Sequence, residues 1–194
     1  MKYPQLTIII AFLVFTSLSM FGAKADSHSD SDLGLFSGLG KVIIVRHAIA
    51  PGMGDPDNFN IGDCSTQRNL DASGREQALS MGEWLRSQGV ERARVYSSQW
   101  CRCKDTAELM KFGPVKELPA LNSFFQRREE KDSNMRSLRH FLSEQTLDGS
   151  LIILVTHQVT ITALTGVYPG SGTGVMLLLD GEGGFDIGPL VLFE

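Results

Sequence analysis

An α/β fold, a three-layer α/β/α sandwich with a mostly parallel central sheet, is predicted from three observations. The short apolar runs Lys41–Val45 and Leu151–Val155 are rich in β-branched residues and read as buried strands. Segments with apolar residues at helical spacing lie between the runs, so strands and helices alternate along the chain. Both runs lead at once into a histidine, in Arg46-His47-Ala48 and in Thr156-His157. Open α/β sheets bind ligands at the carboxyl ends of their strands, so one site containing two imidazoles is expected.

The elements follow in order. After a Gly-rich segment, Leu33 to Gly40, comes the first strand, 41 to 45, and then a long loop from Ile49 to Thr66. Its Gly, Pro and Asp content is too irregular for a core element, and a loop of this length beside a site is usually functional. Ser73-Gly-Arg-Glu76 has capping-box spacing, and Ala78, Met81, Trp84 and Leu85 form the apolar face of a helix that stops near Gly89. Ala93 to Tyr96 is a strand ending in a Ser97-Ser98 turn, and Trp100 to Met110 a helix with Arg102 in its first turn. A helix N-terminus already favours anions, and a guanidinium there adds to that preference. Val115 to Leu118 is a short strand before Pro119. Met135, Leu138, Phe141 and Leu142 mark a helix, and Asp148-Gly149 turns the chain into strand 151 to 155. Gln158 to Thr165 is a helix, and Val175 to Leu179 and Phe185 to Phe193 are strands divided by Asp180–Gly184. Without repeats or low-complexity blocks, residues 41–194 read as one domain.

Four ordered motifs together resemble the histidine phosphatase (phosphoglycerate-mutase-like) superfamily. They are Arg46-His47-Ala48, Leu70-x-x-x-Gly74-Arg75-x-Gln77-Ala78, Ser97-Ser98-x-x-x-Arg102-x-x-x-Thr106-Ala107 and Thr156-His157, and they span residues 41 to about 168. The resemblance implies that His47 attacks phosphorus and carries a phosphohistidine, with Arg46, Arg102 and His157 supplying positive charge around the phosphoryl oxygens. Two nearby guanidinium groups disfavour imidazolium, which keeps His47 neutral and nucleophilic. Arg68, Asn122 and Gln158 are candidate substrate contacts. No metal and no other cofactor is called for.

One departure from the family matters. Many members carry a glutamate as general acid after the second arginine, where this chain has Asn122, and others an aspartate after the second histidine, where it has Gln158. An amide cannot give a proton to a leaving alkoxide. Asp55, Asp57 and Glu129 are the candidate displaced acids. Several residues keep two readings: Arg68 reaches the phosphate or forms a surface salt bridge, and Trp100 lines the cleft or packs its helix. Phe124 and Phe125 wall the substrate or fill the core. His28 and His140 read as solvated surface groups.

The N-terminus predicts export. Lys2, an apolar stretch from Leu6 to Met20, and Ala23-Lys24-Ala25 before a polar segment describe a signal peptide, residues 1–25, followed by a flexible mature N-terminus, 26–40. An uncleaved anchor is the competing reading. Cleavage leaves about 169 residues, one domain's worth, and moves the net charge from −4 to about −6. So acidic a chain is a poor partner for nucleic acid or anionic membranes, so its arginines act locally. In an exported protein Cys64, Cys101 and Cys103 imply one disulfide and one thiol. Residues 101 and 103 on a helix point about 200° apart, so Cys64 pairs with one or the other. A C-x-C pair with one distant cysteine lacks the usual C-x₂-C spacing of zinc sites and a fourth ligand.

The function expected is therefore a periplasmic or secreted phosphatase acting on a phosphate ester or phosphoramidate, with a small phosphorylated molecule or a phosphorylated cell-envelope sugar as partner and no stable membrane insertion after cleavage. The alternative is a catalytically weak or inactive protein that binds phosphorylated ligands. A phosphomutase is a weaker third reading, since an exported enzyme would rarely meet its bisphosphorylated primer.

Overall fold

The computed structural model describes Phe36 and residues 38–194. The expected signal peptide and nearly all of the segment before Gly40 lie outside the described residues. The strands are β1 (Lys41–Arg46), β2 (Ala93–Ser97), β3 (Val115–Glu117), β4 (Leu151–Thr156), β5 (Thr173–Leu179) and β6 (Phe185–Leu192), and the helices are α1 (Ala72–Ser87), α2 (Cys101–Leu109), α3 (Lys131–Ser143) and α4 (Gln158–Thr165). They form one six-stranded sheet in the order β3-β2-β4-β1-β5-β6. The β3-β2, β2-β4 and β4-β1 pairings are parallel, while β5 and β6 add antiparallel strands on the other side of β1.

Alternation along β1 divides the core into two layers, because successive strand side chains point to opposite faces. Ile43 and Val45 pack with Met81, Leu85, Ala107 and Met110 under α1 and α2. Val42 and Ile44 pack with Met135, Leu138, Leu142 and Ile161 under α3 and α4. The central strands β1 and β4 are covered on both faces, which is why they read as unbroken apolar runs.

Helix α1 starts differently from the expected capping box. Its cap is Asp71, whose carboxylate accepts from Gly74 N–H at 2.8 Å, and Ser73 lies inside the first turn. Aspartate caps as well as serine and adds a negative charge where the helix dipole favours one. Gly74 permits a close approach: a Cβ there would stand 1.9 Å from the carbonyl oxygen of Ile49. The backbone just after His47 is thus pressed against α1, where Gln77 Oε1 also accepts from Ile49 N–H at 2.9 Å. Among the described residues, no helix is long and apolar enough to cross a membrane.

Candidate active site

Strand register assembles the site. Arg46 pairs with Thr156 across the parallel β1-β4 ladder, so the next residues, His47 and His157, emerge side by side. His47 N–H donates to the Thr156 carbonyl at 2.9 Å, and the ring centroids are 5.6 Å apart. On the other flank of β4, Ser97 pairs with Val155 and Ser98 N–H donates to the Val155 carbonyl at 2.9 Å. That fixes the start of α2 beside His157, and the first turn of α2 delivers Arg102. The loop after His47 supplies Asp55 and Arg68 from above.

His47 is buried, and its Nδ1 lies 2.7 Å from the Ala48 carbonyl oxygen. A carbonyl only accepts, so Nδ1 carries the proton and Nε2 keeps its lone pair. Burial first, and the Arg102 charge second, lower the imidazole pKa to about 3. The ring is therefore neutral across the physiological range, as expected, although desolvation contributes more than the guanidinium groups. The Ala48 N–H is itself held by Thr106 Oγ1 of α2 at 3.0 Å.

Arg102 is almost fully buried and paired with Asp55, with Nη1–Oδ1 at 2.6 Å and Nη2–Oδ2 at 3.2 Å. Asp55 also accepts from Arg68 N–H at 3.1 Å and from Trp100 Nε1–H at 3.0 Å. Burial works to raise the Asp55 pKa, but the hydrogen bonds and charge of Arg102 outweigh it and hold the carboxyl below its ordinary value. Arg68 donates through Nε to the Gly54 carbonyl at 3.0 Å and through Nη1 to the Ala50 carbonyl. Burial, followed by the charge of Arg102, lowers its pKa to about 10, so it stays charged. Arg46 donates from Nη1 to the Pro169 carbonyl at 3.1 Å. These three arginines and Asp55 line one cavity of ≈ 140 Å³ with His47 and His157. With both imidazoles neutral, three cations and one carboxylate leave a surplus of two positive charges, which matches a phosphate dianion.

The tautomer of His157 follows from a chain of hydrogen bonds. Gln99 N–H donates to Asn122 Oδ1 at 3.0 Å, which marks that atom as the amide oxygen. Ser98 O–H must then donate to the same oxygen at 3.2 Å, so the His157 Nε2 found 2.9 Å from Ser98 Oγ is the protonated nitrogen. Nδ1 keeps a lone pair, 3.5 Å from Arg102 Nη2. Burial, then the Arg102 charge, hold the His157 pKa well below its ordinary value. His157 is thus neutral, a correction to its expected part as a cation: complete desolvation beside guanidinium groups excludes a further positive charge.

Residues 42–133 match the family model described as the histidine phosphatase superfamily (branch 1). This matched segment, somewhat under half of the chain, is similar to the histidine phosphatase superfamily. No curated protein matches its sequence. Among solved structures, the protein histidine phosphatase SixA complexed with tungstate aligns with a TM-score of 0.59 at 19% identity, covering 79% of this chain and 97% of that one. The product of open reading frame Rv3214 from Mycobacterium tuberculosis gives 0.59 at 14% identity, covering 77% and 96%. The mycobacterial glucosyl-3-phosphoglycerate phosphatase Rv2419c, in complex with VO3, gives 0.52 at 16%, covering 71% and 92%. At these identities the likeness is one of fold.

Of the residues singled out in the sequence, Arg46, His47, Arg68, Arg102, His157 and Gln158 all line the cavity. Arg68 is a cavity residue and not a surface ion pair. Asn122, expected at the substrate, is not: its amide is spent on Ser98, Gln99 N–H and Gln99 Oε1, which places it behind His157. Gln158 is tied to Thr162 Oγ1 at 2.7 Å. Trp100 is buried and braces Asp55, Phe124 belongs to the core, and Phe125 lines the cavity. Asp57 lines a neighbouring cavity, Glu129 lines neither, and the surface reading of His140 agrees with its exposed contact to Glu144.

Cys64 bonds to Cys101, with Cα atoms 5.7 Å apart. Cys103 faces the opposite side of α2, buried, with Sγ 3.5 Å from the Thr156 carbonyl oxygen. Burial pushes its thiol up to about 12, too high for a reactive thiolate. The disulfide sits one residue before Arg102, and Gln67 Oε1 accepts from Cys101 N–H at 3.0 Å, so loop and helix are joined beside the cation cluster. Sequence reasoning missed Ser98 as the partner of His157, Asp55 as the partner of Arg102, and Tyr168. Only Ser98 had a signal, the Ser-Ser turn at the end of a strand.

Proposed function

We propose that this protein is an exported phosphatase that hydrolyses a phosphate ester or phosphoramidate through a phosphohistidine on His47. The observation that carries the reading is the neutral His47, held by Nδ1–H donation to Ala48, in the same small cavity as three guanidinium groups. In the first step Nε2 donates its lone pair to phosphorus as the bond to the leaving group breaks, and the leaving group departs with that bond's electron pair. Arg46, Arg68 and Arg102 balance the charge on the non-bridging oxygens. The Nδ1–H···O=C bond steadies the positive charge that develops on the ring. In the second step water attacks the phosphohistidine, loses a proton, and releases inorganic phosphate and neutral His47. Neighbours named as a protein histidine phosphatase and a glucosyl-3-phosphoglycerate phosphatase make phosphoramidates and phosphosugars the first substrates to try.

His47→Ala is expected to abolish covalent labelling by ³²P-substrate trapped with acid-free quench, whereas Arg102→Ala and His157→Ala slow both labelling and turnover. Full turnover by His47→Ala would defeat the mechanism. The second reading, a phosphate-ligand-binding protein, draws on Asp55 occupying Arg102; phosphate release limited to one equivalent per chain would favour it. Export with cleavage after Ala25, leaving a mature domain at 41–194, is tested by N-terminal sequencing of the native protein. A chain beginning at Asp26 is expected, and an intact Met1 in a membrane fraction would count against it.

A further inference from the structure

The floor of the cavity is cationic, but its rim is not. Met53, Phe125 and Tyr168 line it and are 85%, 43% and 75% exposed. They come from three separate segments: the loop after β1, the stretch before α3 and the stretch after α4. The other rim groups are Val159 and the neutral side chains of Ser123, Gln126 and Gln158. Single exposed apolar side chains need no explanation, but three converging on the mouth of a cation site mark a binding surface. A phosphoryl group held by the guanidinium groups takes one end of this cavity, so what the phosphorus is attached to lies against the side lined by these residues.

We propose that the rim receives an aromatic leaving group, so that the substrate is a phenolic phosphate with its phosphoryl group on the guanidinium floor. The proposal rests on the phosphatase reading and names its substrate class. Two aromatic rings and a thioether are suited to a ring, through edge or offset stacking and sulfur contact. The chemistry agrees. Among the described residues that line the cavity, the one carboxyl group, Asp55, is held ionised by Arg102, and Gln158 is an amide. A phenolate is a much weaker base than an alkoxide and leaves without a proton. The His47 Nε2–P bond forms as the P–O(aryl) bond breaks, and the phenolate takes its proton from solvent. Phenolic phosphate could come from a free aryl phosphate or from a phosphotyrosyl side chain in a peptide.

The test separates binding from chemistry by using phosphonates, whose C–P bond is not hydrolysed. Calorimetric Kd values are measured for methyl-, n-hexyl- and phenylphosphonate on the full mature chain. Phenylphosphonate is expected to bind about tenfold more tightly than methylphosphonate. In the double variant Met53→Ser/Phe125→Ser that ratio should fall to about two. A ratio near one in the wild type, a ratio unchanged in the variant, or tighter binding of the hexyl compound than the phenyl one would each overturn the proposal while leaving the phosphoryl site intact. Failure of every phosphonate and of inorganic phosphate to bind would overturn the phosphoryl-site reading itself. Relative kcat/KM for phenyl phosphate and a phosphotyrosyl peptide then assigns the source: the peptide source if the peptide is the better substrate, the free aryl source if it is not.

Discussion

Removing the disulfide by Cys64→Ser/Cys101→Ala tests how the loop over the site is held. The bond closes an interval of 37 residues. In the chain-entropy treatment, loss of that closure costs about 4 kcal/mol at 25 °C. For a domain of this size each kcal/mol is worth roughly 2–4 °C, so the melting temperature should fall by about 8–16 °C. The noncovalent joints remain: Gln67 to Cys101 N–H, and Asp55 to Arg102 and Arg68 N–H. The variant is therefore expected to fold, with a lower urea midpoint and an m-value at least that of the wild type, because the released denatured chain is more expanded. The site should feel the change as well, because Arg68 and Asp55 ride on the released loop. A displacement near 1 Å at a positioning group costs up to about 100-fold, so a loss of roughly 10- to 100-fold in kcat/KM is expected. Urea unfolding followed by circular dichroism and steady-state kinetics measure both. A stability loss below about 1 kcal/mol would refute the loop-closure argument. Unchanged kcat/KM with the full stability loss would refute the link between the staple and the site.

Three further outcomes are expected. Asp55→Asn leaves Arg102 buried without its counter-charge, which should cost about 3–5 kcal/mol of stability and lower kcat/KM; a variant as stable as wild type would show that the pair is dispensable. Stability should also fall with pH, because the unfolded chain protonates both histidines below about 6.5 whereas the folded His47 holds out to about 3 and His157 lies well below its ordinary value. Their contribution is complete above the unfolded pKa and drains as pH falls toward 3, by up to about 1.4 kcal/mol per unit for each ring, and a flat urea midpoint between pH 7 and 4.5 would contradict this. Because Asp55 is held by Arg102 and Gln158 is an amide, log kcat/KM should fall steeply as leaving-group pKa rises, since general-acid help is typically worth ~10²- to 10⁴-fold; a level plot would mean that a proton donor operates.

Local chemistry decided the secondary structure and part of the site. Strand β1 and helix α4 were legible from short-range pattern alone, because a β-branched run and an apolar helical repeat depend only on near neighbours. The same holds for His47, His157 and Arg102: each sits at a strand end or in a first helical turn, and the parallel order of an α/β sheet brings such ends to one edge. What needed tertiary structure were the pairings. Asp55 and Arg102 are 47 positions apart, and no pattern along the chain tells a carboxylate that will lock an arginine from one that will donate a proton. Asn122 matched a substrate-binding position in order, yet its amide is consumed by Ser98 and Gln99, and that depends on how the turn after β2 meets the turn before α3. Helical rotation limited Cys64 to one partner of two, and only the side of α2 on which the loop docks chose Cys101. Charge states depended on the fold in the same way, since the neutrality of His157 comes from complete burial beside Arg102, a property of packing that its neighbours Thr156 and Gln158 do not encode.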